Sequence, residues 1–197
     1  SVVQRGLLAA ASPPFAAHEA ERPPPTRRLV SAKARMVFGF VLEYLADAEL
    51  DADVFASGGY VRDLLLGRVS DDLDLSLCLV RCAPGVTIAT IAAGLPEFAR
   101  RRGAALGVGQ VELASALSEA AAAKQMDAAR VRLTPLGADG GADADAAGAI
   151  VVDLLPTCGA ETYDAHDRVP VRDPRGSAEA DSLRRDLTVG AMLVKVG

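Results

Sequence analysis

The chain has 197 residues, half of them hydrophobic and 24% charged, so it is long enough for one domain with a core and marginal for two. Its net charge of −5 excludes a surface that binds nucleic acid by bulk positive charge. Three cysteines are too few for a disulfide framework or a structural zinc site, and no apolar run approaches the roughly 20 residues needed to span a bilayer.

The first 26 residues are rich in Pro, Ala and Arg and are predicted to be a disordered leader. The alternative is the remnant of an organellar transit peptide, although Glu19 and Glu21 count against it. The low cysteine content favours a reducing, intracellular compartment over secretion: cytoplasm, nucleus or an organelle, with the mitochondrion among the alternatives. Because the chain begins with Ser1, we interpret it as a fragment.

The next part predicts a helix, a strand, a glycine turn and a second helix. Apolar residues recur at helical spacing from Val30 to Leu45, and the short apolar run Val54–Ala56 precedes Ser57, Gly58 and Gly59. Without side chains at two successive positions, backbone N–H groups can approach a triphosphate closely, and the positive end of the following helix favours an anion. Arg62, in the first turn of that helix, is a candidate phosphate ligand.

The segment after the second helix alternates strictly between polar and apolar residues, as a half-buried strand does. Asp72 and Asp74 therefore share one face with Ser76, while three leucines share the other. Two carboxylates side by side repel each other unless a cation lies between them, and Mg²⁺ takes one or two carboxylates plus substrate phosphates. This pair predicts a magnesium site, with Mn²⁺ as an alternative ion.

The remaining chain gives weaker patterns. We predict a helix over Gly85–Arg102 that Pro96 breaks or kinks, and a second helix over Val111–Ala129. Strands are predicted over Arg130–Thr134 and Ile150–Leu155, with a flexible loop at 137–148, and a last helix over Leu187–Val194.

Two ordered motifs give this chain a family resemblance. The segment GGYVRDLLLGRVSDDLDLSL (58–77) resembles the signature of the tRNA nucleotidyltransferase (CCA-adding enzyme) and poly(A) polymerase family, within the polymerase-beta-like superfamily. Downstream, LRRDLT (183–188) resembles that family's RRDxT element, which implies that Arg184, Arg185 and Asp186 bind the phosphates and ribose of the nucleotide. Residues 159–182 are similar to the linking segment of the eukaryotic branch, and the resemblance covers roughly 27–196. The alternative for Arg184 and Arg185 is that they pair with surface acids such as Glu179 and Asp181.

The resemblance also implies a third catalytic acid, for which Asp153 is the match. Two positions depart from the family pattern. Gly190 stands where the family usually has Asn, and Pro156–Cys158 stand where an arginine is expected.

The implied fold is α/β (α+β), a polymerase-beta-like nucleotidyltransferase head with a mixed central sheet of about five strands and helices mainly on one face. We expect two regions, a leader over 1–26 and the head (palm) domain over 27–197, truncated before the neck and body. The family's later EDxxR element, implied to choose between C and A, is absent from this sequence.

The implied activity is addition of CCA to tRNA 3′ ends from CTP and ATP by two-metal nucleotidyl transfer. Its partners are the tRNA 3′ end and nucleoside triphosphates, with no membrane and with an oligomeric state that the sequence does not set. Two alternatives stay open: a poly(A) polymerase of the same family, and a degenerate noncatalytic homologue that binds RNA or a partner. A small-molecule nucleotidyltransferase does not explain the RRDLT block.

Overall fold

The computed structural model describes residues 30–70, 72–114, 127–137, 148–162, 171–185 and 188–197. The predicted leader, most of the 137–148 loop and Asp186 lie outside these residues. Within the described part of the chain, no helix is both long and apolar enough to span a membrane.

Helices and strands alternate along the first half of the chain. The helices are α1 (Ala32–Asp47), α2 (Gly58–Leu65), α3 (Ile88–Arg102) and the short α4 (Ala178–Leu183), with 3₁₀ turns at Gly103–Leu106 and Thr188–Gly190. The strands are β1 (Asp53–Ser57), β2 (Leu73–Cys78), β3 (Val108–Ala114), β4 (Ala129–Pro135), β5 (Ile150–Pro156), β6 (Glu161–Thr162), β7 (Val171–Arg172) and β8 (Val194–Val196).

Six strands form one mixed sheet in the order β3-β4-β5-β2-β1-β8, and β6 and β7 form a separate two-stranded ribbon. The central pair β2 and β5 is parallel, and the other neighbours in the large sheet are antiparallel. The predicted mixed sheet is confirmed, with six strands in place of about five.

The hydrophobic core lies on one face of this sheet. Leu73, Leu75 and Leu77 of β2 are buried in it, and Val152 and Leu154 of β5 lie beside them in register. The buried stripes of α1, α2 and α3 join the same cluster. Because side chains alternate along a strand, the polar residues of β2 and β5 are left on the opposite face.

The sixth strand corrects the prediction of a last helix over Leu187–Val194. Only a 3₁₀ turn forms at Thr188–Gly190, and Val194–Val196 then pairs antiparallel with β1. Lys195 also makes a 2.8 Å ion pair with Asp53 of β1. The end of the chain forms a strand because it pairs with the open edge of the sheet at β1, and this pairing outweighs the local helical pattern.

The predicted helix over Val111–Ala129 is wrong at its start. Residues up to Ala114 belong to β3, which pairs with β4 along its length, and 115–126 lie outside the described residues. Pairing between distant segments overrode the helix preference of an Ala-rich stretch.

The predicted break at Pro96 does not occur, because α3 runs unbroken from Ile88 to Arg102 with Pro96 inside it. A capping box between Thr87 and Thr90 fixes the start of this helix. Leu95 and Phe98, on either side of the proline, are both 1% exposed, so burial in the core offsets the lost backbone hydrogen bond.

A carboxylate from another part of the chain also caps α3. Asp127 accepts hydrogen bonds from the backbone N–H groups of Ile88 (2.7 Å) and Ala89 (3.1 Å). These two contacts make Asp127 a cap at the start of α3. A negative charge at a helix start satisfies free donors and interacts favourably with the helix dipole.

We predict that Asp127→Ala lowers the free energy of unfolding by about 1 kcal/mol, because two helix N–H groups lose their acceptor. Urea denaturation followed by circular dichroism measures this change. Asp127→Asn keeps an acceptor oxygen without the charge and is expected to lose less. Equal stability of wild type and Asp127→Ala would contradict the capping role.

Candidate functional site

The polar face of the sheet brings together acids from two parallel strands. Asp74 lies in β2, and its register partner in β5 is Asp153. Asp72 comes just before β2 and is exposed, while Asp74 is partly buried. The parallel register therefore places Asp153, the predicted third acid, beside Asp74.

The charges around Asp74 are not balanced. Burial raises the pKa of the Asp74 carboxyl, and the neighbouring charges of Asp72 and Asp153 raise it further. Two arginines, Arg130 and Arg185, act in the opposite direction, and the net effect remains a raised pKa. An additional positive charge at this position would therefore be stabilised by the site.

Arg130 is part of this site and was missed by the sequence analysis, which placed it only in a strand. It lies on β4 directly opposite Asp153 in the antiparallel register. Its guanidinium donates to both carboxylate oxygens, from Nε to Oδ1 and from Nη2 to Oδ2, each at 2.6 Å. This is the two-pronged geometry of a strong arginine–carboxylate pair.

The glycine turn lies against the acid strand. Ser57, the last residue of β1, is the register partner of Asp74, so the turn that follows begins next to this carboxylate. Gly58 has a φ of +65°, and a Cβ added to it would lie 2.8 Å from Asp74 Oδ2. Only glycine meets both conditions without strain.

Buried hydroxyls connect the same two strands behind the turn. Ser76 Oγ donates to Ser57 Oγ at 3.0 Å, and Ser57 Oγ contacts the Asp74 carbonyl oxygen at 3.4 Å. Both serines are at most 1% exposed. The position of Gly58 relative to Asp74 is therefore fixed by the backbone and by two buried side chains.

The other residues predicted at the turn are more open. A Cβ on Gly59 would meet only the Arg62 guanidinium, at the ordinary distance of 3.5 Å. The Arg62 side chain is 49% exposed and makes a 2.9 Å ion pair with Asp63. Its guanidinium is thus near the turn and accessible from solvent.

The second motif is organised around a buried carboxylate, Asp181 on α4, which is 0% exposed. Arg184 donates to its Oδ1 from Nε (2.9 Å) and Nη2 (2.6 Å), and Arg185 donates to its Oδ2 from Nε (3.1 Å) and Nη2 (2.7 Å). The backbone N–H of Cys158, after β5, also donates to Oδ1 at 3.0 Å. The pairing with Asp181 considered from the sequence is present, but with a buried acid and not a surface one.

Burial alone would raise the pKa of Asp181, yet the hydrogen bonds from Cys158, Arg185 and Arg184 bring it below its ordinary value. The folded chain therefore favours the ionised carboxylate. Its only sequence signal was its position three and four residues before the two arginines, which matches neighbours on a helix.

The two departures from the family pattern have structural counterparts. Arg185 Nη1 donates to the carbonyl oxygen of Gly190 at 3.0 Å, so the backbone of that residue contacts the motif. Thr157 and Cys158, which stand where an arginine was expected, are buried, and Thr157 Oγ1 donates to the Gly176 carbonyl at 2.5 Å.

Arg175 attaches the segment before α4 to the loop after β2. Its guanidinium donates to the carbonyl oxygens of Leu79 (2.7 Å), Cys82, Ala83 (3.3 Å), Pro84 (3.3 Å) and Val86 (3.4 Å). The loop that follows the acid strand is thus held by the same chain segment that leads to the second motif.

The three cysteines are free and buried, as expected for packing residues.

The acids of this site can hold a divalent ion through two carboxylates, with substrate and water completing the coordination. No group of three or more His, Cys, Asp or Glu side chains that could hold a metal occurs among the residues that the structure describes. Mg²⁺ does not require one, because it binds through one or two carboxylates completed by substrate phosphates and water. Asp72 and Asp74 provide two oxygen donors of the preferred type, in surroundings that favour a cation.

A family model described as the poly A polymerase head domain matches residues 54–197. Among solved structures, apo form II of a CCA-adding enzyme matches with a TM-score of 0.52 and 19% identity, covering 86% of this chain and 30% of that chain. The likeness shows a shared fold and confirms the predicted fold class. A search of curated proteins found no match.

Two further solved structures match less well. The complex of a CCA-adding enzyme with CTP has a TM-score of 0.48 at 19% identity, covering 86% of this chain and 28% of that chain. The Thermotoga maritima CCA-adding enzyme complexed with tRNA-CCA has a TM-score of 0.45 at 20% identity, covering 87% and 28%. This chain therefore spans less than a third of the length of the enzymes it matches.

We predict that Gly58→Ala lowers the free energy of unfolding by at least about 1–2 kcal/mol, the cost of a left-handed backbone for an L-residue, with the clash against Asp74 in addition. Gly59→Ala is the matched control, because its Cβ has room and alanine favours a helix. Urea denaturation of both variants measures the difference. Equal losses would contradict the contact between Gly58 and Asp74.

We predict that Asp181→Asn lowers the free energy of unfolding at pH 7 by about 3 kcal/mol, because two arginines lose their buried partner. Since the folded-state pKa is depressed, this contribution is present above the unfolded pKa and is lost as pH falls through the folded pKa. The stability difference from wild type should therefore shrink in acid, as denaturation at a series of pH values would show.

Glu179→Gln is the control for that experiment, because Glu179 is an exposed acid on the same helix and the charge change is identical. It should change stability by less than about 0.5 kcal/mol. A constant difference between wild type and Asp181→Asn across the acid range would contradict the depressed pKa.

Proposed function

Because the chain belongs to the poly A polymerase head domain family, as its glycine turn, acid pair and RRD motif predicted, we propose that it is the catalytic head of a template-independent RNA nucleotidyltransferase. Its proposed reaction is the addition of CCA to tRNA 3′ ends from CTP and ATP. The observation that carries this proposal is the contact between the glycine turn at Gly58 and the carboxylate of Asp74.

In this reaction the 3′-hydroxyl oxygen of the RNA bonds to the α-phosphorus of the nucleotide, and the bond to pyrophosphate breaks. Little covalent chemistry is left to the protein, so positioning and charge stabilisation account for most of the catalysis. A triphosphate bound at the turn would lie next to Asp74, because the turn itself does.

Asp72 and Asp74 are the residues that would hold Mg²⁺, or Mn²⁺ in its place. The bound ion would neutralise charge on the phosphates and lower the pKa of the attacking hydroxyl. The crowding of like charge at Asp74 supports this assignment, because a cation relieves it.

The nucleotide's phosphates would be bound by the backbone N–H groups at Gly58 and Gly59 and by the accessible guanidinium of Arg62. Arg184, Arg185 and Asp186, the last of which lies outside the described residues, are proposed to bind the phosphates and ribose. The charge of Arg185 acts on Asp74, which supports placing the second motif near the first.

The noncatalytic alternative has one specific observation in its favour. Arg184 and Arg185 each use two nitrogens on the buried Asp181, so their geometry is explained without a substrate. An arginine carries five N–H donors, however, and those left over can still bind a phosphate. Binding of nucleotide decides between the two functions.

The substrates and partners of the whole enzyme are proposals as well, since this chain covers 30% of the CCA-adding enzyme in apo form II. We place the activity inside the cell, in the cytoplasm, the nucleus or an organelle. A poly(A) polymerase would use the same head, and the product separates the two: CCA on a tRNA supplied with CTP and ATP, or a run of A.

We predict that the chain binds Mg·ATP and Mg·CTP weakly and without selecting between them, and that Asp74→Asn weakens this binding by about tenfold, or 1.4 kcal/mol. The physical reason is the loss of a carboxylate that holds the ion on the phosphates. Isothermal titration calorimetry with and without Mg²⁺ measures the effect.

Glu97→Gln is the control for the change of charge, because Glu97 lies on α3 and pairs with Arg100 at the protein surface. It should bind nucleotide like the wild type. Unchanged binding by Asp74→Asn, or binding that does not depend on Mg²⁺, would contradict the proposed site, and no binding at all by the wild type would favour the noncatalytic homologue.

A further inference from the structure

The proposed function uses Asp72 and Asp74 and leaves the third acid, Asp153, without a defined contribution. Asp153 lies beside Asp74 in the parallel pairing of β5 with β2, so its position alone would suit a third metal ligand. Its surroundings differ from those of the other two acids, because Arg130 occupies both of its oxygens.

The pair between Arg130 and Asp153 is set by the backbone. The two residues face each other across the antiparallel pairing of β4 with β5, where side chains point to the same side of the sheet. Both donor–acceptor distances are 2.6 Å, and the side chains are 37% and 20% exposed. Such a pair resists rearrangement, because both residues lie on paired strands and both carboxylate oxygens accept a hydrogen bond from the guanidinium.

This pair also changes the charge that an incoming ion meets. The guanidinium of Arg130 interacts with Asp72 and Asp74 as well as with its direct partner. If Asp153 bound a divalent ion, that ion would lie next to a permanently charged arginine, and the two positive charges would repel each other.

We propose that Arg130 is a positioning residue that holds Asp153 out of the metal ligand set, so that a divalent ion is bound by Asp72 and Asp74 alone. The inference rests on the proposed function for the identity of those two ligands.

A divalent ion bound in this way would keep more of its coordination positions for substrate. Mg²⁺ prefers six oxygen ligands, and each protein carboxylate that is withheld leaves a position for a phosphate oxygen or water. In the absence of nucleotide the ion should therefore bind weakly and carry several waters.

The test is a titration of the chain with Mn²⁺ in the absence of nucleotide. Electron paramagnetic resonance of the free ion gives the affinity, and water-proton relaxation reports the number of waters that the bound ion keeps. The variants are Arg130→Met, Asp153→Asn combined with Arg130→Met, and Asp72→Asn combined with Asp74→Asn, with circular dichroism to show that each is folded.

Arg130→Met should increase the Mn²⁺ affinity by about tenfold, because it frees Asp153 and removes a positive charge, and the bound ion should lose one water. The double variant of Arg130 and Asp153 removes a neutral pair and should keep the affinity within about threefold of wild type, with the wild-type number of waters. If it does not fold, Arg130→Gln with Asp153→Asn retains polar groups at both positions and replaces it.

A tenfold loss of Mn²⁺ affinity in the double variant of Arg130 and Asp153 would overturn the inference, because Asp153 would then be a ligand. An unchanged water number in Arg130→Met would also overturn it. Neither result touches the proposed function, which fails separately if the double variant of Asp72 and Asp74 binds Mn²⁺ as tightly as the wild type.

Discussion

The antiparallel pairing of β1 with β2 is the constraint on which the candidate site depends. It sets Ser57 opposite Asp74, and the chain then turns at Gly58 with a positive φ directly against that carboxylate. A side chain at this position would occupy the space of Asp74 Oδ2. The turn and the acid are therefore one unit, whose geometry is determined by backbone hydrogen bonds and buried serines before any ligand arrives.

The rest of the molecule balances charge around that unit. Two arginine–carboxylate systems, Arg130 with Asp153 and the pair of arginines on Asp181, are satisfied within the protein. Asp74 has no such close pair among its described contacts and has a raised pKa. A fold that pairs Asp153 and Asp181 with arginines and leaves Asp74 crowded by like charges concentrates its affinity for cations at the candidate site.

The sequence predicted the parts of the site that depend on local pattern. The glycine turn and the alternation around Asp74 lie within 20 residues, where strand and helix periodicity determine which side chains share a face. The ion pair of Arg130 with Asp153 could not be predicted in this way, because it depends on the register between two strands separated by a long loop. For the same reason a helix was predicted over Leu187–Val194 and β8 was missed, since Val194–Val196 forms a strand by pairing with the edge of β1.

The second motif illustrates how one family signature can carry two physical roles. Asp181 is fully buried, and an unpaired carboxylate there would be very costly, so the arginines that follow it are required by the fold itself. Their attachment to Asp181, together with the Cys158 N–H and the loop held by Arg175, fixes this segment against the ends of β2 and β5. Arg185 is thereby held where its charge reaches Asp74. The structural role of these arginines thus provides the rigidity that a phosphate-binding role would need, and the two are compatible on the same residues.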